Sequence, residues 1–329
     1  MLSFSIAAQT DTEFWFSVPE INRYHWGGTE ASPGNKGYPV YLRITTGSLS
    51  STVTITMPAN QANFNGGSPL VFNIPANKTQ TIDLAALNLI GDDKTTALTS
   101  IENRLRWTTS NASAINRNNK GLHIEATTPV TIYYEISAIF NMELLALKGK
   151  NALGQQFYIP FETTYEIIQY ATNDSKYTYR PYSSFDIVAT EDNTQITITP
   201  TKDVFVWPNS FKPANIPFTI TLNRGETAII APYKNDSNVK YKTDPKNTLA
   251  GTKVEVVSGG DIAVISRHDM VNPTGGVDFV GDQLVPIDHI GNHYAVVRGG
   301  LADAQEHVYV VGTQNGTQVK VNGSVVATI

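Results

Sequence analysis

Asp288, His289 and His293 come closest in this chain to a metal-ligand pattern: two imidazoles four residues apart, with a carboxylate beside the first. Such a spacing chelates a metal when a helix sets both rings on one face. Here Ile290-Gly291-Asn292 intervenes in a strand-rich stretch, so the segment reads as a connector with hydrogen-bonding imidazoles. A metal-dependent hydrolase built on these three residues is kept as an alternative; its mark would be stoichiometric zinc, lost in His289→Ala. Asp278, Asp282 and Asp288 with Gly275-Gly276 bring oxygens together as Ca²⁺ requires, but the EF-hand pattern is absent and they read as solvated loop acids. Cysteine is absent and no Gly-x-Ser-x-Gly elbow occurs. The Gly-Gly pairs at 27, 66, 259, 275 and 299 lack the Lys-Ser/Thr of a phosphate loop. The acids form no pair marked for glycoside hydrolysis. No catalytic residue, cofactor site or metal site is assigned, and the function reads as non-enzymatic.

Aromatic side chains are the remaining chemistry. Tyr and Trp bring large contact area at low entropic cost, which suits stacking on sugars or peptides. Trp15 lies in a compact aromatic strand and is expected in a core; Trp107, Tyr177, Tyr179 and Tyr182 read as loop anchors. The two longest loops are 22–37, with Tyr24, His25 and Trp26, and 202–216, with Phe205, Trp207 and Phe211. Loops at the ends of β-sandwiches carry recognition because the sheets fix their position. Tyr24, Trp26, Phe205, Trp207 and Phe211 are therefore the candidate ligand-binding residues.

The elements that must position them repeat. Val40–Thr46, a polar turn and Thr52–Thr56 share one grammar with Phe185–Thr190, Glu191–Asn193 and Thr194–Thr199, and again with Val308–Thr313, Gln314–Gly316 and Thr317–Val321. An apolar strand, a tight polar turn and a strand of strict period-2 alternation read as a β-hairpin. Pro217–Leu222, the turn Asn223-Arg224-Gly225 and Glu226–Ile230 read as another, matched in the first copy by 70–84. The copies close alike, at Gly121–Ser137 and Gly251–Ser266, and Gly154–Pro160 resembles Gly281–Pro286 as a shared connector. Helical periodicity is confined to Asp83–Ile90 and Ala97–Arg106. The fold is expected to be all-β: tandem β-sandwich-like domains at 9–145 and 146–280, with 281–329 as the start of a third, truncated one.

Charged residues make up 16% of the chain, below the usual quarter, and Thr, Asn, Ser and Gly take their place, as on extracellular β modules. A net charge of −5 with no Lys/Arg cluster argues against nucleic acid as a partner. Residues 1–8 read as a signal-peptide remnant, a short apolar run ending in small residues. Secretion without cysteine favours a bacterial envelope. No apolar run of 18 residues exists, and the most apolar stretch, Thr131–Leu147, is interrupted by Glu135, Asn141 and Glu143.

Five segments carry a resemblance: Leu147–Gly154 with Phe157–Pro160, Gly121–Thr127, Val188–Thr194, Arg224–Thr227 and Asp282–Pro286. Together they resemble the IgGFc-binding protein N-terminal family in its Bacteroidetes form, from about Glu13 onward. Two departures stand out. Val277-Asp278-Phe279 replaces a Cys-Asp-His often found in relatives, and Ile290-Gly291 replaces a Trp-Gly. The resemblance implies a secreted or surface-attached module, often within large proteins exported across the outer membrane, and brings no catalytic residues or cofactor. The family name derives from a mucus-associated animal protein said to bind antibody Fc. An adhesin-type module contacting a glycoprotein such as mucin, a glycan or another envelope protein is the expected function, at the cell surface or secreted. The alternative is an accessory domain of a polysaccharide-degrading enzyme.

Overall fold

The structure, a computed structural model, describes residues 9–17, 40–84, 119, 121–137, 142–160, 183–206, 210–232, 249–271, 278–297 and 308–329. The expected signal remnant, the loop 22–37 and both helical stretches beyond Leu84 lie outside the described residues. What is described is nearly all β, as the alternation predicts.

Two cores define two units. The first is built from β1 (Thr10–Ser17), β2 (Val40–Thr46), β3 (Ser51–Thr56), β4 (Leu70–Ile74), β5 (Thr79–Asp83), β6 (Gly121–Ser137) and β7 (Met142–Ala146). Leu42, Ile44, Val53, Ile55, Ile124, Ile132 and Ile136 are buried at its centre. The second is built from β8 (Gln156–Tyr158), β9 (Ser183–Ala189), β10 (Thr194–Thr199), β11 (Val204–Val206), β12 (Ser210–Lys212), β13 (Phe218–Leu222), β14 (Thr227–Pro232), β15 (Lys253–Ser258), β16 (Ile262–Val271) and β17 (Asp278–Gln283). Its core collects Phe157, Phe185, Ile187, Ile196, Ile198, Val254, Ile262 and Val264. Beyond it follow β18 (Gln318–Val321) and β19 (Ser324–Thr328).

The repeated motif is an arch, not the expected hairpin. β2 pairs with β5 and β6, while β3 pairs with β4 and β6, so β6 lies between the two supposed hairpin partners. In the second unit, β9 runs in the six-stranded sheet β12-β11-β14-β9-β16-β17 and β10 in the four-stranded sheet β13-β10-β15-β8. The segment 217–230 behaves likewise, with β13 on β10 and β14 on β9. Period-2 alternation places one face of each strand on the core in either geometry; it does not say which backbone completes the ladder. Here Leu42, Ile44, Val53 and Ile55 all enter one buried core. In the third copy the hairpin is β18–β19, closed by Asn322 and Gly323 at φ 50° and 85°, a primed turn.

The connector correspondence also changes. Gly154–Pro160 contains β8, in the four-stranded sheet, whereas Gly281–Pro286 ends β17, in the six-stranded sheet. β17 is instead the counterpart of β7: Leu147 N–H donates to Ile132 O, and Leu284 N–H donates to Val264 O. Each is followed by a 3-10 turn, Gly149–Ala152 or Ile287–His289. Gly154-Gln155-Gln156-Phe157 therefore aligns with Gly291-Asn292-His293-Tyr294. Positions buried in the second unit are open in the third: Phe157 is fully buried but Tyr294 is 72% exposed, and Phe185 is buried but Val308 is 65% exposed.

Candidate functional site

The predicted aromatic sites are only partly described. Tyr24, Trp26 and Trp207, like Trp107, Tyr177, Tyr179 and Tyr182, lie outside the described residues. The stretch expected as a loop around Trp207 is a short hairpin of β11 and β12 with an Asp203 carboxylate capping the Ala214 N–H. Phe205 and Phe211 are directly opposite in its register, and Phe211 is 47% exposed on the edge strand β12. The Phe205 side chain is outside the described residues. Lys212 Nζ lies 5.6 Å from the Phe218 ring centroid, beside the same hairpin.

The histidine pattern is occupied by structure. His289, in the 3-10 turn, donates its Nδ1–H to Asn151 O at 3.0 Å, tying one connector to the other. His293 is exposed outside any strand, and Asp282 pairs with Lys148. Among the described residues no group of three metal-ligating side chains forms. Gly275 and Gly276 lie outside them.

The segments that carried the family resemblance converge elsewhere, at the junction between the units. Val188–Thr194 and Arg224–Thr227 are two stacked arch turns. Asp192 Oδ1 accepts the Arg224 N–H, Asn223 Oδ1 accepts the Asn193 N–H, and Glu226 Oε2 accepts the Asn223 N–H at 2.7 Å. Gly225, at φ 78°, then meets the first unit: Gly121 N–H donates to Gly225 O at 3.1 Å. A Cβ on Gly121 would fall 2.5 Å from Val188 Cγ2 and 2.7 Å from Gly225 O, so only glycine permits this approach.

Beside that contact, Trp15 of β1 stacks on His123 of β6, ring centroids 4.2 Å apart, and Arg224 lies 5.2 Å over the Trp15 ring. Arg224 Nη2 is 3.3 Å from His123 Nδ1, and His123 Nε2 is 3.2 Å from Glu13 Oε1. A guanidinium only donates, so Nδ1 accepts and Nε2 carries the hydrogen toward Glu13. Burial lowers the His123 pKa, opposed by the nearby Glu125 and by the hydrogen bond to Glu13, with Arg224 lowering it further. Trp15 is 2% exposed, as expected of a core residue, but it is buried against Val188 and Ala263 of the second unit.

Two more clamps hold the junction. Gln283 of β17 donates to Trp15 O at 2.8 Å and accepts the Lys148 N–H at 2.7 Å, so one amide joins both units and the connector. Asp11 Oδ2 accepts the Lys150 N–H at 2.8 Å in that connector, whose Gly149 turns at φ 58°. Behind Trp15, Asp186 and Arg267 are both about 1% exposed with Nε and Oδ1 3.8 Å apart. Arg267 Nε donates to Ser184 Oγ at 2.8 Å, and Ser17 Oγ of the first unit lies 3.5 Å from Asp186 Oδ2. Burial holds the neighbouring Tyr134 phenol well above its ordinary pKa, against the opposing charge of Arg267. The arrangement is a joint between the two units.

The family described as IgGFc binding protein matches residues 143–329, from β7 through the whole second unit to the end of β19. No curated protein matches the chain. Among solved structures, a chain of the cryo-EM structure of Broad Bean Stain Virus is 12% identical over 73% of this chain and 80% of its own, at a TM-score of 0.18. A superposition at that level carries no argument.

Proposed function

Because the chain belongs to the IgGFc binding protein family, we propose that it is a non-enzymatic extracellular binding module of adhesin type, contacting a glycoprotein such as mucin, a glycan or an envelope protein at the bacterial surface. The observation that carries this reading is where the family-like segments gather. They build the joint between two sandwiches rather than a pocket, so their common task is to hold units rigidly in tandem. Recognition then falls to loops and edge hairpins, which the sheets position while leaving their sequences free. The β11–β12 hairpin, with Phe211 exposed, and the segments bearing Trp207, Tyr24 and Trp26 are the proposed contact regions. Domain boundaries follow the connectors, with the second unit running through β17.

Glycan and mucin arrays, with antibody Fc as one probe among them, test this directly. We expect a hit that weakens by about 1–3 kcal/mol in Trp26→Ala or Trp207→Ala while the melting temperature changes little. If both variants bind as wild type, or chiefly lose stability, the aromatic assignment is wrong.

A further inference from the structure

An imidazole stands where the two units touch. His123 is 4% exposed between the Trp15 ring, two carboxylates of its own unit and one guanidinium of the other. Among the described residues the charged groups facing it are Glu13 from β1, Glu125 from β6 and Arg224 from the β13–β14 turn. Lys150 of the connector reaches Glu13 at 3.8 Å, and the uncharged Thr56 of β3 bonds the His123 carbonyl. In the neutral ring Nδ1 is the acceptor that Arg224 needs. A second proton removes that acceptor and sets a positive ring against a positive guanidinium. The new Nδ1–H has an acceptor of its own unit close by, since Glu125 Oε2 stands 3.8 Å away. Acid would thus exchange a bond between units for a bond within one.

We propose that His123, Arg224, Glu125 and Glu13 form an acid-released latch between the two units. At neutral pH Arg224 is held over Trp15 by the His123 acceptor, and the turn Asn223-Arg224-Gly225 stays seated on Gly121. On protonation His123 turns to Glu125, Arg224 loses both its acceptor and its place, and the turn lifts from the first unit. Buried contacts behind it, among them Gln283 to Trp15 and Asp186 to Arg267, involve no imidazole and keep the units connected. The latch loosens one edge of the joint; it does not separate or unfold the units.

Residue-resolved hydrogen exchange on the full chain reads this out, because the Gly121 amide bonds the Gly225 carbonyl across the joint. After correction for intrinsic rates, we expect Gly121 exchange to rise about tenfold between about pH 7.5 and about pH 5, while the core amides of Ile196 and Ile262 stay protected. His123→Phe keeps a ring on Trp15 and should abolish the response. Arg224→Ala, on an exposed turn that the core does not need, should raise Gly121 exchange at both pH values and flatten its pH dependence. Flat wild-type exchange, or a response that survives in His123→Phe, overturns the proposal. Should His123→Phe fail to fold by near-ultraviolet circular dichroism, Arg224→Ala decides: a persisting pH response there overturns it as well.

Discussion

At the residue scale, the joint depends on charges that water does not reach. Asp186 and Arg267 are each about 1% exposed, and a buried ion is tolerated only while its partner remains. Removing one side, in Asp186→Ala or Arg267→Ala, should destabilise the chain by about 3–5 kcal/mol. The double replacement Asp186→Leu with Arg267→Met should recover much of that loss, since apolar packing often matches a buried pair. Urea midpoints of the three variants check this; single-variant losses no larger than that of the double would contradict it. His123 gives a second expectation with a definite sign. Its folded pKa is depressed by burial, so protonation favours the unfolded chain. The stability it secures is complete above the unfolded value of about 6.5 and declines as pH falls from there toward the folded pKa. The urea midpoint of wild type should therefore drop between about pH 7.5 and about pH 5.5 by more than that of His123→Phe.

At the scale of elements, the arch turns carry the geometry, and two glycines separate strain from packing. Gly225 and Gly316 share nearly the same left-handed backbone, φ 78° and 79°. A Cβ on Gly225 would fall 2.8 Å from Ala59 N, while nothing lies within 4 Å of one on Gly316. Gly316→Ala should cost about 1 kcal/mol, the left-handed penalty alone, and Gly225→Ala clearly more. Equal shifts in melting temperature would mean the Gly225 seat carries no packing. Alternation in the sequence locates β2, β3, β10 and β13, because each buries alternate side chains, whereas β9 and β14 are buried on both faces and read as apolar runs. It cannot choose an arch over a hairpin, since the choice lies in backbone partners far along the chain. Cross-strand NOEs from β3 to β6, and none from β2 to β3, would confirm the arch in solution. β11 and β12 escaped notice because each has three residues, and Pro208, Asn209 and Pro213 around them read as loop. The joint was least legible of all. Its members, Glu13, Trp15, His123, Arg224 and Gln283, are spread over 270 residues, and nothing in their local context marks them as neighbours.

At the scale of the whole molecule, two sandwiches are held by contacts that converge on Trp15. Replacing Gln283 by Ala removes the amide that ties Trp15 O to Lys148 N, and small-angle scattering should then report a wider spread of inter-unit orientations with each core intact. Unchanged scattering would leave the clamp without a mechanical role. The arch architecture reaches beyond the finished structure as well. Because the strands of each arch pair with distant partners, few ladders in the two units join neighbours in the chain; Arg43 waits for Glu135, 92 residues on, and Trp15 waits for Gln283, 268 residues on. A chain that must close such long loops before any sheet rewards it folds slowly, on the milliseconds-to-seconds side of the range for domains. During synthesis β1 to β5 remain without their central partner until β6 has been made, and β1 gains its last clamp only after the second unit is complete.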